Sequence, residues 1–401
     1  MIKKEIHLWD LNTSFIYVKL KNGFRENFFN KIREGFLTWK EAGKCFDIKR
    51  GDTTLAINWK NGETCCPLNK IFEMADYIYL EKEIIEKNII EMRFKKFLNK
   101  RGGSSGKPIK NPKIPILIDE DFAEILGHIC GDGCMKKDYL NKGGKIGYIN
   151  SEPKLIEDFK NLVKKVFGDI EPYVNIRDER TKVKFGKPRY TKANYYIVYP
   201  TILVLVFLSV FKGKEKELEL PKEVLYNDSL KKTFIRAIFD DEANIIVKNK
   251  KIQVGMISEN FVIDLKNMLN DLGLRTTKIM KREMETNLSK NYKYYRFEVL
   301  GSESIKKFKE EIGFKHPLKS KRLDEIIENG WKFDRYPNGF FSMRLKELLQ
   351  EKSLTFDELS KNFNRNKTTL WGHLRKRVDS GELIKNNDLF YLNKGDSFEQ
   401  K

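Results

Sequence analysis

One stretch limits this chain more than any other: Glu124-Ile-Leu-Gly-His-Ile-Cys-Gly-Asp132-Gly133, an apolar run closed by one acid and a glycine. As a helix it puts Gly127 and Gly131 four residues apart on one face. A glycine inside a helix costs about 1 kcal/mol relative to alanine. Two on one face therefore predict a second backbone packed closely against them. The chain supplies a cousin, Phe234-Ile-Arg-Ala-Ile-Phe-Asp-Asp-Glu242-Ala243. Laid together, Gly127 meets Ala237, Gly131 meets Asp241 and Asp132 meets Glu242, with less symmetric packing expected at Asp241. Side by side, two such helices bring Asp132 and Glu242 together at their C-terminal ends. The helix dipole disfavours carboxylates there, and the two repel each other. A hard divalent cation relieves both, and oxygen ligands suit Mg²⁺, with Mn²⁺ as an alternative. The plain alternative is a solvated acid at each helix end; the pairing in a repeat argues against it.

The repeat extends beyond the motifs. Asp158-Phe-Lys-Asn-Leu162 pairs with Asp264-Leu-Lys-Asn-Met268, close to the offset between the acids. Agreement at two separated places indicates an internal duplication. Expected strands in the first copy are 145–150, 173–177 and 182–185, with a helix opening at Ser151 as N-cap. In the second they are 252–256, 278–282 and 292–300, with a helix opening at Ser258.

These paired segments resemble the signature of the LAGLIDADG (dodecapeptide) homing endonucleases in their single-chain, two-repeat form. The resemblance covers about 118–330. It implies an α+β fold: two pseudo-symmetric αββαββα repeats whose antiparallel sheets form a saddle along the DNA major groove. It also implies that Asp132 and Glu242 are catalytic and, with Gly131 and Asp241, bind the metal. The basic catalytic candidates are Lys319 and Lys321. Residues expected to face DNA are Asn175, Arg177, Lys182, Lys184, Lys251, Gln253, Lys278 and Arg282. The second motif departs from the family pattern in having Glu242 as its acid and Ala243 in place of the following glycine.

The charge balance fits a polyanion partner. Lys and Arg total 77 against 57 Asp and Glu, a net charge of +20 spread along the chain. Five cysteines without a CxxC pair argue against a zinc site, and their odd number against a disulfide framework, so a reducing, cytoplasmic setting is expected. Four scattered histidines offer no His-based metal motif; His128 reads as packed rather than as a ligand. The apolar run 199–210 is too short to span a bilayer and reads as buried core. Met1 and Gln400-Lys401 lack intein junction chemistry, so the expectation is that the chain is not an intein.

The expected domains are a helical, helix-turn-helix-like module at 1–98, a basic Gly/Ser/Pro linker at 99–117, repeats at 118–220 and 221–338, and a winged helix at 340–394 before a tail at 395–401. In the first module Thr38 caps one helix, Thr53–Asn61 forms the next, and 81–98 is a charged amphipathic helix. In the last, Thr355 and Glu358 form a capping box. Asn366–Arg377 is the recognition helix, with Lys367, Thr369, His373 and Arg377 facing the groove, and 381–392 is a hairpin wing.

The leading function is a site-specific, metal-dependent DNA endonuclease acting on double-stranded DNA, as a monomer with internal pseudo-twofold symmetry and no membrane partner. The alternatives are a non-cutting DNA-binding regulator and a maturase acting on intron RNA. Retention of both acids favours the enzyme.

Overall fold

The computed structural model describes residues 4–94, 107–136, 145–177, 194–210, 220, 222, 224, 227–284, 292–331, 339–363 and 367–393. The chain begins with a mixed α/β module. Strand β1 (Glu5–Ile6) is followed by β2 (Ile16–Leu20), β3 (Cys66–Pro67), β4 (Ile89–Phe94), β5 (Ile109–Lys110) and β6 (Ile116–Leu117). Four of these form an antiparallel sheet in the order β3-β2-β4-β5, and β1 pairs with β6. Helices Asn22–Glu34, Trp39–Cys45, Leu68–Tyr77 and Lys82–Lys87 accompany it.

This differs from the expected mainly helical module and linker at three places. The amphipathic helix ends at Lys87 instead of running to Leu98. Beyond it the alternation of Ile89, Met92 and Phe94 finds a partner strand in Ile16, Val18 and Leu20, and pairing outweighs helical propensity. The expected second helix is a π-helix, Asp52–Trp59, with Trp59 buried. Finally, 107–117 is not linker: Lys110 and Asp169 exchange backbone hydrogen bonds of 2.9 and 2.8 Å, tying β5 to the first repeat. Residues 99–106 lie outside the described residues.

The first repeat runs from its motif helix (Glu120–Cys130) to β7 (Gly133–Lys136), β8 (Lys145–Asn150), helix Pro153–Phe167, β9 (Tyr173–Arg177), β10 (Asn194–Tyr199) and helix Thr201–Val210. The second has its motif helix (Asp228–Glu242), β11 (Asn244–Ile246), β12 (Lys251–Met256), helix Glu259–Asp271, β13 (Met280–Met284), β14 (Tyr292–Leu300) and helix Ser302–Glu311, then an added helix, Pro317–Glu328. Both sheets are antiparallel and have matching orders, β7-β8-β10-β9 and β11-β12-β14-β13. Ser258 caps its helix as expected, whereas Glu152, not Ser151, caps the matching one. The expected strand at 182–185 falls outside the described residues. The apolar run becomes the buried helix Thr201–Val210, and among the described residues no helix is long and apolar enough to cross a membrane.

One continuous apolar core joins the first module to both repeats, and a second, separate core belongs to the C-terminal module. That module has helix Phe340–Glu351, β15 (Leu354–Thr355), helix Phe356–Asn362, helix Lys367–Asp379, β16 (Leu383–Asn386) and β17 (Leu389–Leu392), with sheet order β15-β17-β16. The Thr355/Glu358 capping box is present.

The main core is centred on the two motif helices. A Cβ on Gly127 would lie 2.6 Å from both Ala237 Cβ and the Phe234 carbonyl, and one on Gly131 would lie 2.7 Å from an Asp241 oxygen. Gly127→Val should therefore destabilise the main body by about 1–3 kcal/mol through overpacking. Gly372, inside an exposed helix with nothing within 4 Å of its Cβ position, gives the contrast: Gly372→Ala should stabilise its own module by up to about 1 kcal/mol. Denaturant titration of both variants checks the pair. A Gly127→Val protein as stable as wild type would contradict the close helix approach.

Candidate active site

The first motif helix stops because its end is crowded by its own chain. Gly131 donates its backbone N–H to the Gly127 carbonyl at 2.9 Å, and the chain then turns back across the helix end. A Cβ on Gly133 would lie 2.4 Å from Ile129 Cα, so only glycine fits there. This turn holds Asp132 at the tip. The second motif helix is left in an extended conformation at Ala243 (φ −79°, ψ 145°), which any residue adopts. The missing glycine of the second motif therefore has a local reason.

Four acids gather at this end: Asp132, Asp240, Asp241 and Glu242. They do different things. Asp241 has a fully buried carboxylate that is already bonded. One oxygen accepts from Tyr148 Oη at 2.7 Å and Asn150 Nδ2 at 3.2 Å. The other lies 3.0 Å from His128 Nδ1 and accepts weakly from the Asp132 backbone N–H at 3.4 Å. The Asp241 side-chain oxygens are thus bonded to residues of the first repeat, and its backbone carbonyl accepts from Lys319 Nζ. Asp240 is equally occupied. It accepts from the backbone N–H groups of His316 (2.8 Å) and Lys315 (3.2 Å), fixing the start of helix Pro317–Glu328.

Asp132 and Glu242 are partly exposed, whereas the Asp241 side chain is fully buried. Asn150 Nδ2 donates to Asp132 Oδ2 at 3.0 Å, while Glu242 makes no side-chain hydrogen bond found among the described residues. Burial, with the charges of Asp241 and Glu242, pushes Asp132 up to about 7. Burial and Asp241 push Glu242 up to about 6. Burial also lifts Asp240 to about 6 despite its backbone donors.

Two basic side chains answer this charge. Lys319 Nζ donates to the carbonyls of Phe239 (3.1 Å), Asp240 (2.6 Å) and Asp241 (3.0 Å). All three of its protons are used in capping the second motif helix, where a cation suits the dipole. Burial lowers its proton affinity, against the pull of the acids. His128 is buried among Tyr148 and Phe159, as its packed reading anticipated. Burial lowers its pKa, but Asp241, Glu124 and Asp240 outweigh that and raise it. Lys321 is exposed on its helix.

The cleft beside these groups holds about 550 Å³ and is lined by Asp132, Asn150, Asp241 and Lys319 among others. Asp132 lines it and Glu242 stands at the adjoining helix end; two such carboxylates suit a hard divalent cation completed by solvent or phosphate oxygens. Among the described residues no group of three or more His, Cys, Asp or Glu side chains is arranged to hold a metal.

Sequence reasoning missed Tyr148, Asn150, Lys315 and His316, because long-range folding brings each to the site. It also missed buried Glu124, which joins the repeats by pairing with Arg236 (2.9 Å) and Lys315 (2.6 Å).

The expected DNA-facing residues divide. Asn175 is exposed on β9 and Arg282 on β13; Lys278 is exposed just before β13, not within it; Arg177 ends β9. Lys251 and Gln253 share a face with Glu298 and bond to it at 2.6 and 3.4 Å, so their polar ends are engaged internally. Lys182 and Lys184 lie outside the described residues. In the C-terminal module Lys367 and Thr369 are exposed, but His373 and Arg377 are not groove-facing. Both pack on Phe341, and Arg377 also bonds Ser342. The reason is spacing: 370, 373, 374 and 377 form the core-facing stripe of that helix.

Residues 229–313 match the family described as the LAGLIDADG-like domain. The chain therefore carries a LAGLIDADG-like domain. It is 28% identical over 212 residues to the replication factor C small subunit of Methanocaldococcus jannaschii, covering 53% of this chain and 10% of that protein. To that organism's probable translation initiation factor IF-2 it is 25% identical over 294 residues, covering 70% and 22%. The chain thus spans a quarter or less of these relatives' length. Mesophilic variants of the homing endonuclease I-DmoI share 16% identity and a TM-score of 0.34, over 48% of this chain and 94% of theirs; an overlap this low adds nothing to the topology above.

Acids with raised pKa make the folded chain bind more protons than the unfolded chain between about pH 4 and 7. Their contribution to stability is complete below the unfolded-state values and is lost as pH rises through 6 to 7. Metal-free wild type should therefore lose stability between about pH 5 and pH 7.5, and Asp132→Asn should lose less. Denaturation midpoints at the two pH values test this; equal slopes would remove Asp132 from the strained set.

Proposed function

We propose that this chain is a site-specific DNA endonuclease of the homing type, cutting both strands by metal-dependent phosphodiester hydrolysis. The observation that carries the reading is the juxtaposition of Asp132 and Glu242 at the ends of two mutually packed motif helices, each with raised proton affinity. Antiparallel DNA strands are themselves related by twofold symmetry, so a duplicated chain offers one acid to each. A bound Mg²⁺ would activate water and neutralise charge on the phosphate. Asp132 and Glu242 would hold it. Asn150 orients Asp132, Asp241 fixes Asn150, and Lys319 supplies positive charge beside the acids without giving up a proton. Asp241 is therefore a positioning residue in this reading.

The relatives support it indirectly. Two relatives with different names, a replication factor and a translation factor, match this chain over only 10% and 22% of their own lengths. A transferable module fits, and an endonuclease that opens its own insertion site is such a module. The C-terminal unit is proposed as a winged helix that extends the DNA contact through Lys367, Thr369 and the exposed face of helix Lys367–Asp379. Mg²⁺ use, the monomeric state and a cytoplasmic setting belong to the same proposal.

A non-cutting DNA-binding regulator is the second reading. It is favoured by one observation: Asp241 and Lys319 are both committed to internal bonds. The deciding experiment is Mg²⁺-dependent cutting of genomic DNA mapped by sequencing fresh ends. Asp132→Asn and Glu242→Gln should each abolish cutting and preserve binding. Asn150→Ala should slow cutting about 10–100-fold with binding intact. Sharp ends present with wild type alone establish the enzyme; tight, salt-sensitive binding without ends establishes the regulator.

A further inference from the structure

The C-terminal module has a cavity that the proposed cutting chemistry does not use. It lies between helix Lys367–Asp379 and the β16–β17 hairpin, holds about 430 Å³, and is lined by Phe356, Trp371 and Phe390 together with Lys367, Lys385 and Asp388. Trp371 is 40% exposed, far more than an indole placed only for packing would be. Its ring is nonetheless braced. Phe356 meets it edge-on at 5.7 Å and 81°, and Phe390 at 6.3 Å and 79°. Lys385 carries its ammonium 4.8 Å from the indole centroid, which marks this ring as an electron-rich surface already attracting charge. Lys367 pairs with Asp357 at 3.1 Å, but both side chains stay largely exposed, so the pair is weak and the lysine can exchange partners.

An aromatic surface with two lysines beside it selects a flat ring that carries negative charge. Among the polymers a basic chain attracts, a nucleotide has that form. Inside a duplex each base face is covered by its neighbours in the stack, so only an unpaired nucleotide can present a face to Trp371. We propose that this cavity is a stacking site for one unpaired nucleotide of a DNA strand, with the base on Trp371 and its phosphate drawn by Lys367 and Lys385. Asp388 only accepts hydrogen bonds, so the site favours a base with an exocyclic amino group, such as cytosine, over thymine. The inference deepens the reading of this module as a DNA-binding unit.

The test uses the full chain in chelator, so that no strand is cut and the outcome is independent of nuclease activity. Binding of labelled oligo(dC), oligo(dT) and a duplex, each about 12 nucleotides long, is followed by fluorescence anisotropy. Trp371→Ala should weaken oligo(dC) binding about tenfold and change duplex binding less than about twofold. Trp371→Phe, which keeps a ring, should retain most of the affinity. Asp388→Asn should erase the preference for oligo(dC) over oligo(dT). Unchanged oligo(dC) binding by Trp371→Ala overturns the proposal, as does a wild type that ignores single strands. If Trp371→Ala loses single strand and duplex alike, its module has unfolded, and Lys385→Ala then decides: it must weaken single-strand binding selectively, and equal losses overturn the site. Loss of duplex binding alone in the variants would instead assign the cavity to duplex DNA.

Discussion

Everything in the main body depends on how closely two helices approach. Gly127 and Gly131 remove the side chains that would hold the motif helices apart, and the Ala237 methyl and Asp241 carboxylate occupy the space. The helices bring their partially negative C-terminal ends together, which no isolated pair would do willingly. The surrounding core, continuous across both repeats and the first module, holds them there. The charge of the site is thus a consequence of packing.

That charge is not distributed evenly between the repeats. The first-repeat acid, Asp132, is gripped by Asn150 and approached by His128, which is itself tied to Asp241. The second-repeat acid, Glu242, makes no matching side-chain bond among the described residues, and β12 presents Gln253 to Glu298 instead. Lys319 donates its hydrogen bonds to the end of the second motif helix. Duplication supplied two similar frames, and later divergence gave their acids different surroundings. Buried hydrogen-bonded networks of this kind fix geometry, because a buried group that loses its partner pays its whole desolvation penalty.

Much of the fold was legible because its signals are local or periodic. The alternating strands near 145–150, 173–177 and 252–256, the capping box at Thr355 and the hairpin after Gly381 follow from spacing within a dozen residues, whereas the full αββαββα order was what the family resemblance implied. The errors share a cause. The strand Ile89–Phe94 reads as helix until Ile16–Leu20 is known to lie beside it. His373 and Arg377 read as groove-facing until Phe341 packs under them.

By itself the sequence determined that two small-faced helices would pair, that an acid would stand at the end of each, and that the whole would attract a polyanion. These depend on residue type and period alone. Only the tertiary structure decided which acids stay available and which become scaffold, which lysine caps a helix, and which sheet charges are neutralised. Those outcomes rest on partners up to 191 positions away, as in the Glu124–Lys315 bond, and no local pattern encodes where such partners meet.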